Sequence, residues 1–422
     1  MPMHPHLVSP QYRIHLIAAT LVGTLVWWTF PQDISSWRSA SIVTGWIGCG
    51  LLLSSLFLMI REPWLAAWLG GLEPMYLWHH RFGVGAYLAL LVHPLALAAD
   101  EWGESATLAW SAISPWQEDW PVWLGWASLL CMMAGLVVSM LPRVPYAAWR
   151  KLHHLLTISV VFGGAHLVVL GLDWPLIWAP LLAISLLLWR ILRADYGWAA
   201  KPYAVSHTQR LGPDMVEVSL LPLAKPVIGQ PGQFVLVAFF RGPHFQGCGE
   251  YHPYTISAIH SNGALSLGIK ALGDCTRHLQ LIESGVSARV QGPFGTFLES
   301  LPAGPCLWVA GGIGITPFLA VLRSGPLAQR VHLLYLHRNE SDAAYSDELS
   351  ALAKHQPLLH LVMVDCANCL PDLQALLPVA NELLKPECYL CGPNGLVNAA
   401  VAVLRERGVG LERIHFERFD FR

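Results

Sequence analysis

The first 195 residues contain six apolar stretches, each long enough to cross a lipid bilayer. The hydrocarbon core is about 30 Å thick, which a helix of about 20 residues spans, and a helix satisfies its own backbone hydrogen bonds in lipid. Residues 1–198 are therefore predicted to form a six-helix transmembrane bundle. The first stretch is too long for a signal peptide, and no small-residue cleavage site follows it. The stretches lie near residues 14–30, 42–60, 75–98, 122–141, 153–172 and 174–192.

Basic residues lie almost entirely on one side of this predicted bundle. Arg38 is the exception, and the loop 99–121 on its side has five acidic residues but no Lys or Arg. Because cytoplasmic loops carry an excess of Lys and Arg, the N-terminus and the large C-terminal half are both predicted to be cytoplasmic, with the bundle in the plasma (inner) membrane. The residues on the basic side are Arg13, Arg61, Arg81, Arg143, Arg150, Lys151, Arg190, Arg193 and Lys201.

Two of the apolar stretches carry a pair of histidines each. His79 and His93 lie in the third stretch, and His153 and His166 lie in the fifth. An ionisable side chain inside a membrane segment indicates a functional site, and neutral imidazole ligates haem iron. Since both stretches run from the cytoplasm outward, His79 and His153 fall near the inner face and the other two toward the outer face. The pattern predicts two stacked haems.

The spacing within each pair differs. His79 and His93 are fourteen residues apart, about 21 Å along a helix, and within about 40° of one face. His153 and His166 are thirteen apart, so an ideal helix turns them to roughly opposite sides, and spacing alone does not make them converge. A local π-bulge or a helix rotation can redirect the rings. Spacing slightly favours His79 over the histidine that follows it, and does not choose between His153 and its successor. His15 has no partner and is interpreted as structural. The alternative, buried histidines satisfied by backbone or water, fits four paired residues less well.

The C-terminal half has the composition of a soluble protein. Residues 200–300 show short alternating stretches separated by turn residues, which predicts an antiparallel β-barrel domain over 199–302. Residues 306–422 alternate strands and helices, which predicts an α/β domain with a parallel sheet over 303–422. The whole chain is thus predicted to be a multidomain membrane protein.

Glycine-rich turns follow two of the predicted parallel strands. Glycines let a backbone approach a phosphate, and a helix N-terminus supplies N–H donors, so a nucleotide is expected at the carboxyl ends of these strands. The first turn contains Gly311, Gly312, Gly314, Thr316 and Pro317. The second contains Cys391, Gly392 and Pro393.

One barrel stretch places an aromatic ring beside hydroxyl groups and a proline. In this stretch Tyr254 can stack on a flavin ring, and Thr255 can hydrogen-bond a ring nitrogen or oxygen. An ordinary strand with turn residues is the alternative. The stretch is His252, Pro253, Tyr254, Thr255, Ile256 and Ser257.

Together these segments resemble the NADPH-oxidase and ferric-reductase superfamily, in which a haem-binding membrane domain joins a ferredoxin-reductase-like module. The resemblance covers nearly the whole chain. It implies that residues 252–257 are the FAD motif and that the segment 268–276, through Ile269, Lys270 and Thr276, contacts the flavin pyrophosphate. It also implies that 292–295 and the two glycine-rich turns bind NAD(P)H, and that Phe419 or Phe421 covers the flavin.

In the membrane half, Trp149 to His153 resembles the family's fifth helix, which selects His153 over His154 as a ligand. The family pairs His79 with His153, and His93 with His166, each pair holding one haem b. Oxygen-reducing animal members carry a further histidine where this chain has Leu97.

The resemblance implies electron transfer from cytoplasmic NAD(P)H through FAD and two b-type haems to an acceptor outside, with no residue acting as a general acid or base. Oxygen, giving superoxide, is the first expected acceptor. Ferric or cupric ions are the alternative, because the acidic loop 99–121 can concentrate cations. NADPH is preferred to NADH, because Arg338 follows the second strand, where a cation can meet a 2′-phosphate. A non-enzymatic haem carrier or proton-conducting module is an alternative of another class.

Composition excludes one further class, the nucleic-acid-binding proteins. A net charge of −2 gives no basic surface for nucleic acid, so the expected partners are membrane lipid and a small acceptor. The nine cysteines are predicted to be reduced thiols. The pairs Cys366/Cys369 and Cys388/Cys391 have the spacing of a zinc site. However, Cys388 and Cys391 lie at an odd separation on a strand and so point to opposite faces.

Overall fold

The computed structural model describes residues 10–114, 116, 120–141, 144–171, 176–299, 301, 303–367, 371–377 and 386–417. The chain divides into two compact units, Met1–Tyr196 and Gly197–Arg422, and each is described by itself.

The first unit is helical. Four helices in its described part are long and apolar enough to cross a membrane: α2, α4, α6 and residues Ala148–Val169 of α7. Helices α1 and α8 occupy the other two apolar stretches, but α8 is only 12 residues long before a π-helical segment Arg190–Asp195. The six-span count therefore stays a prediction. The helices are α1 Pro10–Thr29, α2 Ser36–Phe57, α3 Pro63–Trp68, α4 Leu72–Trp102, α5 Ala106–Ile113, α6 Trp120–Met140, α7 Tyr146–Val169 and α8 Trp178–Trp189.

Small residues allow the long helices to pack closely in pairs. A Cβ atom on Gly48 of α2 would lie 2.5 Å from Leu90 of α4, and one on Gly135 of α6 would lie 2.6 Å from Leu156 of α7. Lipid gives no hydrophobic drive between helices, so close packing at glycine is a main source of their association. Two helix pairs result, α2 with α4 and α6 with α7.

The second unit begins with a closed antiparallel barrel, which confirms the predicted fold of this region. Its strands run in the order β1-β2-β5-β4-β3-β6, around a core that includes Tyr203, Val237 and Leu267. A short helix, α9 Asp274–His278, follows β5. The strands are β1 Lys201–Gly212, β2 Met215–Pro222, β3 Phe234–Phe239, β4 His252–Ile259, β5 Leu265–Lys270 and β6 Ser287–Phe294.

A five-stranded parallel sheet follows, as predicted, in the order β11-β10-β7-β8-β9. Its central strand β7 alternates sides: Trp308 packs in the core on one face and Leu307 in the core on the other. The order places the carboxyl ends of β7 and β10 side by side. The elements are β7 Cys306–Gly311, α10 Thr316–Ser324, β8 Val331–His337, α11 Ser346–His355, β9 Leu359–Asp365, α12 Leu373–Leu376, β10 Glu387–Cys391, α13 Asn394–Glu406 and β11 Ile414–Glu417.

Candidate functional site

The two histidines of α4 each meet a serine of α2. Ser55 donates its hydroxyl to the His79 carbonyl at 3.0 Å, and His79 Nδ1 lies 2.8 Å from that hydroxyl oxygen and 3.0 Å from the Ser55 carbonyl oxygen. Ser41 and His93 repeat the arrangement, with 2.9 Å, 3.1 Å and 2.8 Å for the same three distances. Both serines and both histidines are fourteen residues apart (55 − 41 and 93 − 79). The antiparallel helices therefore repeat one interaction at two levels.

The two histidines of α7 meet α6 instead. His153 Nδ1 lies 3.0 Å from the Ser139 hydroxyl, which donates to the Gly135 carbonyl at 2.8 Å. His166 Nδ1 lies 2.9 Å from the Pro121 carbonyl oxygen. Of the two ways in which these rings could be redirected, a π-bulge is absent from the described helix, which is α-helical from Tyr146 to Val169. Both rings still reach α6, because an imidazole extends far enough from its helix to contact a neighbour from either flank.

These contacts assign the tautomer of all four rings. Each Nδ1 faces a carbonyl oxygen or a hydroxyl whose hydrogen is already donated elsewhere, so Nδ1 must carry the proton and Nε2 the lone pair. No described residue hydrogen-bonds any of the four Nε2 atoms. A histidine that ligates a metal usually donates its other ring N–H to such an oxygen. The donor set therefore fits haem iron.

The inner pair also has the separation of two ligands on one metal. The ring centroids of His79 and His153 lie 6.4 Å apart, and Trp149 stacks on His153 with centroids 4.8 Å apart. Two imidazoles on one ion, with metal–nitrogen bonds of about 2 Å, have centroids about 6 Å apart. The neighbouring His80 and His154 are exposed, which favours the two ligands that the resemblance implied.

Glycines make room for the outer rings. A Cβ atom on Gly45 would lie 3.1 Å from His93 Nδ1, and one on Gly125 would lie 3.0 Å from His166 Cε1. Neither close approach was predicted from the sequence, where these glycines look like ordinary small residues of membrane helices.

The predicted flavin motif forms strand β4. Tyr254, Thr255, Ile256 and Ser257 are buried within it, while His252 and Pro253 at its start are half-buried. The Tyr254 hydroxyl is buried and has no hydrogen-bond partner among the residues that the structure describes, and burial raises the pKa of this phenol above its ordinary value. A buried hydroxyl without a partner is costly, so this atom fits a cofactor that accepts or donates a hydrogen bond.

The segment after β4 meets the glycine-rich turn of the sheet. Ile269 is buried in β5, and the Lys270 ammonium lies 3.8 Å from the Asp342 carboxylate. A Cβ atom on Gly312 would lie 3.9 Å from Lys270 Nζ. Thr276 accepts two backbone N–H groups of the preceding turn, each at 2.9 Å. The structure thus brings the predicted pyrophosphate and nucleotide segments together.

The two glycine-rich turns touch each other. A Cβ atom on Gly314 would collide with the Cys391 carbonyl, and one on Gly392 would lie 3.0 Å from the Gly311 nitrogen. Gly312 has φ +54°, a left-handed conformation that favours glycine. Thr316 and Pro317 then open α10, and Pro393 precedes α13. Exposed Arg338 follows β8, while Phe419 and Phe421 lie outside the described residues.

A buried polar network that was not predicted from the sequence joins the barrel to the parallel-sheet domain. Glu217 of β2 accepts hydrogen bonds from Ser257 at 2.5 Å, from Arg323 at 2.8 Å and from the Tyr345 hydroxyl at 3.0 Å. Arg323 also forms two hydrogen bonds of 2.7 Å to Glu348. Burial raises the pKa of Glu217, but the hydrogen bonds and charge of Arg323 outweigh burial and hold that pKa below its ordinary value. One acidic residue in the apolar run 215–221 was the detectable signal.

The prediction that all nine cysteines are reduced is wrong for one pair. Cys248 and Cys275 form a disulfide with their Cα atoms 5.9 Å apart, because the β3–β4 loop and α9 meet at one end of the barrel. Cys388 and Cys391 lie in the cores on opposite faces of the sheet, which confirms the objection to a zinc site. Cys369 lies outside the described residues.

Comparison with protein families identifies three successive domains. They are a ferric reductase like transmembrane component over residues 44–164, an FAD-binding domain over 201–329 and an oxidoreductase NAD-binding domain over 308–402. The chain therefore combines a ferric-reductase-like transmembrane domain with an FAD-binding domain and an oxidoreductase NAD-binding domain. These three domains, in this order, match the NADPH oxidase and ferric reductase superfamily.

Individual relatives match about half of the chain. A ferredoxin–NAD(P)⁺ reductase component of a naphthalene 1,2-dioxygenase/salicylate 5-hydroxylase system from Ralstonia sp is 28% identical over 47% of this chain and 63% of that protein. The ferredoxin reductase component of a 3-ketosteroid-9-alpha-monooxygenase from Mycolicibacterium smegmatis is 31% identical over 45% of this chain and 55% of that one. The FAD/NAD-binding domain of a Vibrio cholerae nitric oxide dioxygenase is 20% identical, with a TM-score of 0.44 over 52% of this chain and 98% of that one.

Proposed function

We propose that this protein carries electrons from cytoplasmic NAD(P)H through FAD and two b-type haems to an acceptor on the far side of the membrane. The observation that carries the proposal is the inner histidine pair. The His79 and His153 rings are 6.4 Å apart, and each directs Nδ1 toward an oxygen. FAD converts a two-electron donor into a supply of single electrons, and haem iron exchanges one electron at a time.

The membrane unit contributes ligands and their orientation. His79 and His153 are assigned to the inner haem, and His93 and His166 to the outer haem. Each ring is held at Nδ1 by an oxygen of Ser55, Ser41, Ser139 or Pro121. This contact fixes the plane of the ring and makes Nε2 a stronger ligand for the metal. Helices α1 and α8 are proposed to complete a six-span bundle in the plasma (inner) membrane, with both termini in the cytoplasm, as the basic residues indicate.

The second unit is proposed to bind FAD through residues 252–257 and the segment 268–276. Lys270 and the turn capped by Thr276 supply a cation and N–H groups for the pyrophosphate. NAD(P)H is assigned to the turns 311–317 and 391–393, whose glycines admit a phosphate. Arg338 is assigned to the 2′-phosphate of NADPH, and Phe419 or Phe421 to covering the flavin.

Oxygen, giving superoxide, is the preferred acceptor. A ferric or cupric ion is the second candidate, yet part of the acidic loop that favours it is engaged. Arg38 lies 3.9 Å from Asp100 and 3.7 Å from Glu101, which reduces the negative charge available to a cation. Superoxide dismutase should suppress cytochrome c reduction if oxygen is the acceptor. A ferric chelate should instead accelerate NADPH oxidation, with little oxygen uptake, if metal ions are.

An absorption spectrum of the detergent-solubilised protein before and after NADPH tests the whole proposal. We expect about two haems and one flavin per chain, with the low-spin b-type spectrum of bis-histidine iron, reduced by NADPH. A protein with flavin but no Soret band would refute the haem assignment. A protein that has neither bound flavin nor NADPH oxidation would favour the non-enzymatic haem carrier or proton module, which the FAD- and NAD-binding domains argue against.

A further inference from the structure

Three side chains with metal-binding or redox chemistry meet at one end of the barrel. They are Cys248 in the β3–β4 loop, His252 at the start of β4 and Cys275 in α9. Their sulfur and ring nitrogen atoms all lie within 4.8 Å of one another, and all three residues are half-buried. The two cysteines are linked as a disulfide although 27 positions separate them in the chain.

This cluster adjoins residues that the proposed function assigns to FAD. His252 begins the flavin motif, and Cys275 directly precedes Thr276, whose hydroxyl organises the turn assigned to the pyrophosphate. The disulfide therefore ties the β3–β4 loop to the flavin-binding segment. Reduction of the disulfide would release the β3–β4 loop and α9 from each other.

We propose that Cys248 and Cys275 form a reversible thiol–disulfide site whose state sets how tightly the barrel holds FAD. The proposal rests on the proposed cytoplasmic orientation of this unit and on its FAD site. Stable structural disulfides are rare in a reducing cytoplasm, where a disulfide is usually redox-sensing or catalytic. The neighbouring His252 imidazole can accept a thiol proton, and the resulting thiolate is the reactive species.

The reaction partner is a low-molecular-mass disulfide such as oxidised glutathione. The thiolate of one cysteine attacks it, forms a mixed disulfide and releases one glutathione thiolate. The second cysteine then attacks the mixed disulfide through its sulfur and releases the second glutathione. Two electrons and two protons pass from the protein thiols to the glutathione pair, so one protein disulfide and two glutathione thiols result. Excess thiol reverses both steps.

The expected effect on FAD follows from preorganisation. The disulfide holds the loop and the first turn of α9 in place before FAD arrives, whereas the reduced protein must order both on binding. Removing such an ordering cost strengthens binding. We expect reduction to weaken FAD binding about tenfold, since one or two mobile segments are involved.

The test uses the full-length protein in detergent, equilibrated in glutathione buffers of stepped redox ratio. Peptide mass spectrometry after thiol alkylation reports the state of Cys248 and Cys275, and flavin fluorescence reports the FAD dissociation constant. Both cysteines should convert together, and FAD affinity should change with them. Cys248→Ser and Cys275→Ser should each give the weaker affinity in every buffer. Cys366→Ser, at a half-buried cysteine that is outside the disulfide and in the parallel-sheet domain, is the matched control and should retain the response.

Three results would overturn the proposal. FAD affinity could be the same in both redox states, or the two cysteines could stay reduced in the most oxidising buffer. Alternatively, the reduced protein could retain added Zn²⁺ that Cys248→Ser loses and that blocks oxidation, which would make the cluster a metal site. None of these depends on the haem spectrum, so failure here is distinguishable from failure of the proposed electron transfer.

Discussion

The two units of the chain position their functional groups by different means. In Met1–Tyr196, single imidazoles on long helices are candidate ligands, and each is held by one or two oxygens of a neighbouring helix. In Gly197–Arg422, backbone turns approach one another at glycines, and a buried ionic network joins two domains. The loss of one side chain should therefore remove a cofactor from the first unit, but should only lower the stability of the second unit or its affinity for FAD.

The largest effect is expected from His93→Leu. It removes one proposed ligand of the outer haem without adding a charge, so haem content should fall from about two to about one per chain. Transfer to the acceptor should stop while NADPH still reduces the flavin, as stopped-flow absorption would record. His154→Leu, at the exposed histidine that follows His153, is the control and should keep both haems. Acceptor reduction at the full rate in His93→Leu would disprove the two-haem relay.

Arg323→Met should give the next largest effect, and on stability rather than on haem. It leaves the Glu217 carboxylate buried without its cation, and breaking a buried ion pair typically costs about 3 kcal/mol. The temperature at which FAD is released should fall by roughly 6–12 °C for a domain of this size. Arg330→Met, at an exposed arginine of the same domain, should change it little. An unaltered release temperature in Arg323→Met would show that the network does not stabilise the unit.

The two serines that contact the inner histidines should differ in how much their loss reduces haem retention. Ser139→Ala removes the oxygen that faces His153 Nδ1, whereas Ser55→Ala leaves His79 the Ser55 carbonyl at 3.0 Å. Loss of such a supporting hydrogen bond weakens metal binding about tenfold or more. Haem retention during detergent dilution should therefore fall more in Ser139→Ala than in Ser55→Ala. The opposite order would contradict the assigned Nδ1 tautomer.

The smallest effect should be a pH dependence from Glu217. Its pKa is lower in the folded protein than in the unfolded chain, so its contribution to stability is complete above the ordinary carboxyl pKa of about 4.3. That contribution is lost as the pH falls through the folded value. The difference in FAD-release temperature between the wild type and Glu217→Gln should shrink between about pH 5 and pH 3. A constant difference over this range would argue against ionised Glu217 as the stabilising form.

In the membrane unit, the candidate histidine ligands could be predicted from the sequence, but the serines that contact them could not. Ionisable residues stand out in apolar segments, so His79, His93, His153 and His166 could be found by position alone. Their spacing misled about His166, because helical phase says nothing of how far a ring reaches. The serines that hold the rings could not be found, since serine is common in membrane helices and only the pairing of helices selects Ser41 and Ser55.

In the second unit, the barrel and the parallel sheet followed from strand periodicity and turn residues, and both glycine-rich turns were placed at the carboxyl edge of the sheet. Their contact was not predicted, because it depends on β10 lying beside β7. The Glu217–Arg323 network did not, because its partners are 106 residues apart and nothing local indicates which buried acid meets which arginine. The disulfide was missed for a similar reason: general rules on compartment predict free thiols and do not say which loops meet.

Because the two serines and the two histidines have equal spacing, α2 fixes the register of α4. Sliding one helix past the other by a single turn, about 5.4 Å, would misplace both hydroxyls together, so no intermediate register satisfies one level while sacrificing the other. A four-residue insertion in α2 between Ser41 and Ser55 would have a different result from sliding. It would leave one of the two serine–histidine contacts in place and move the other serine out of hydrogen-bond distance.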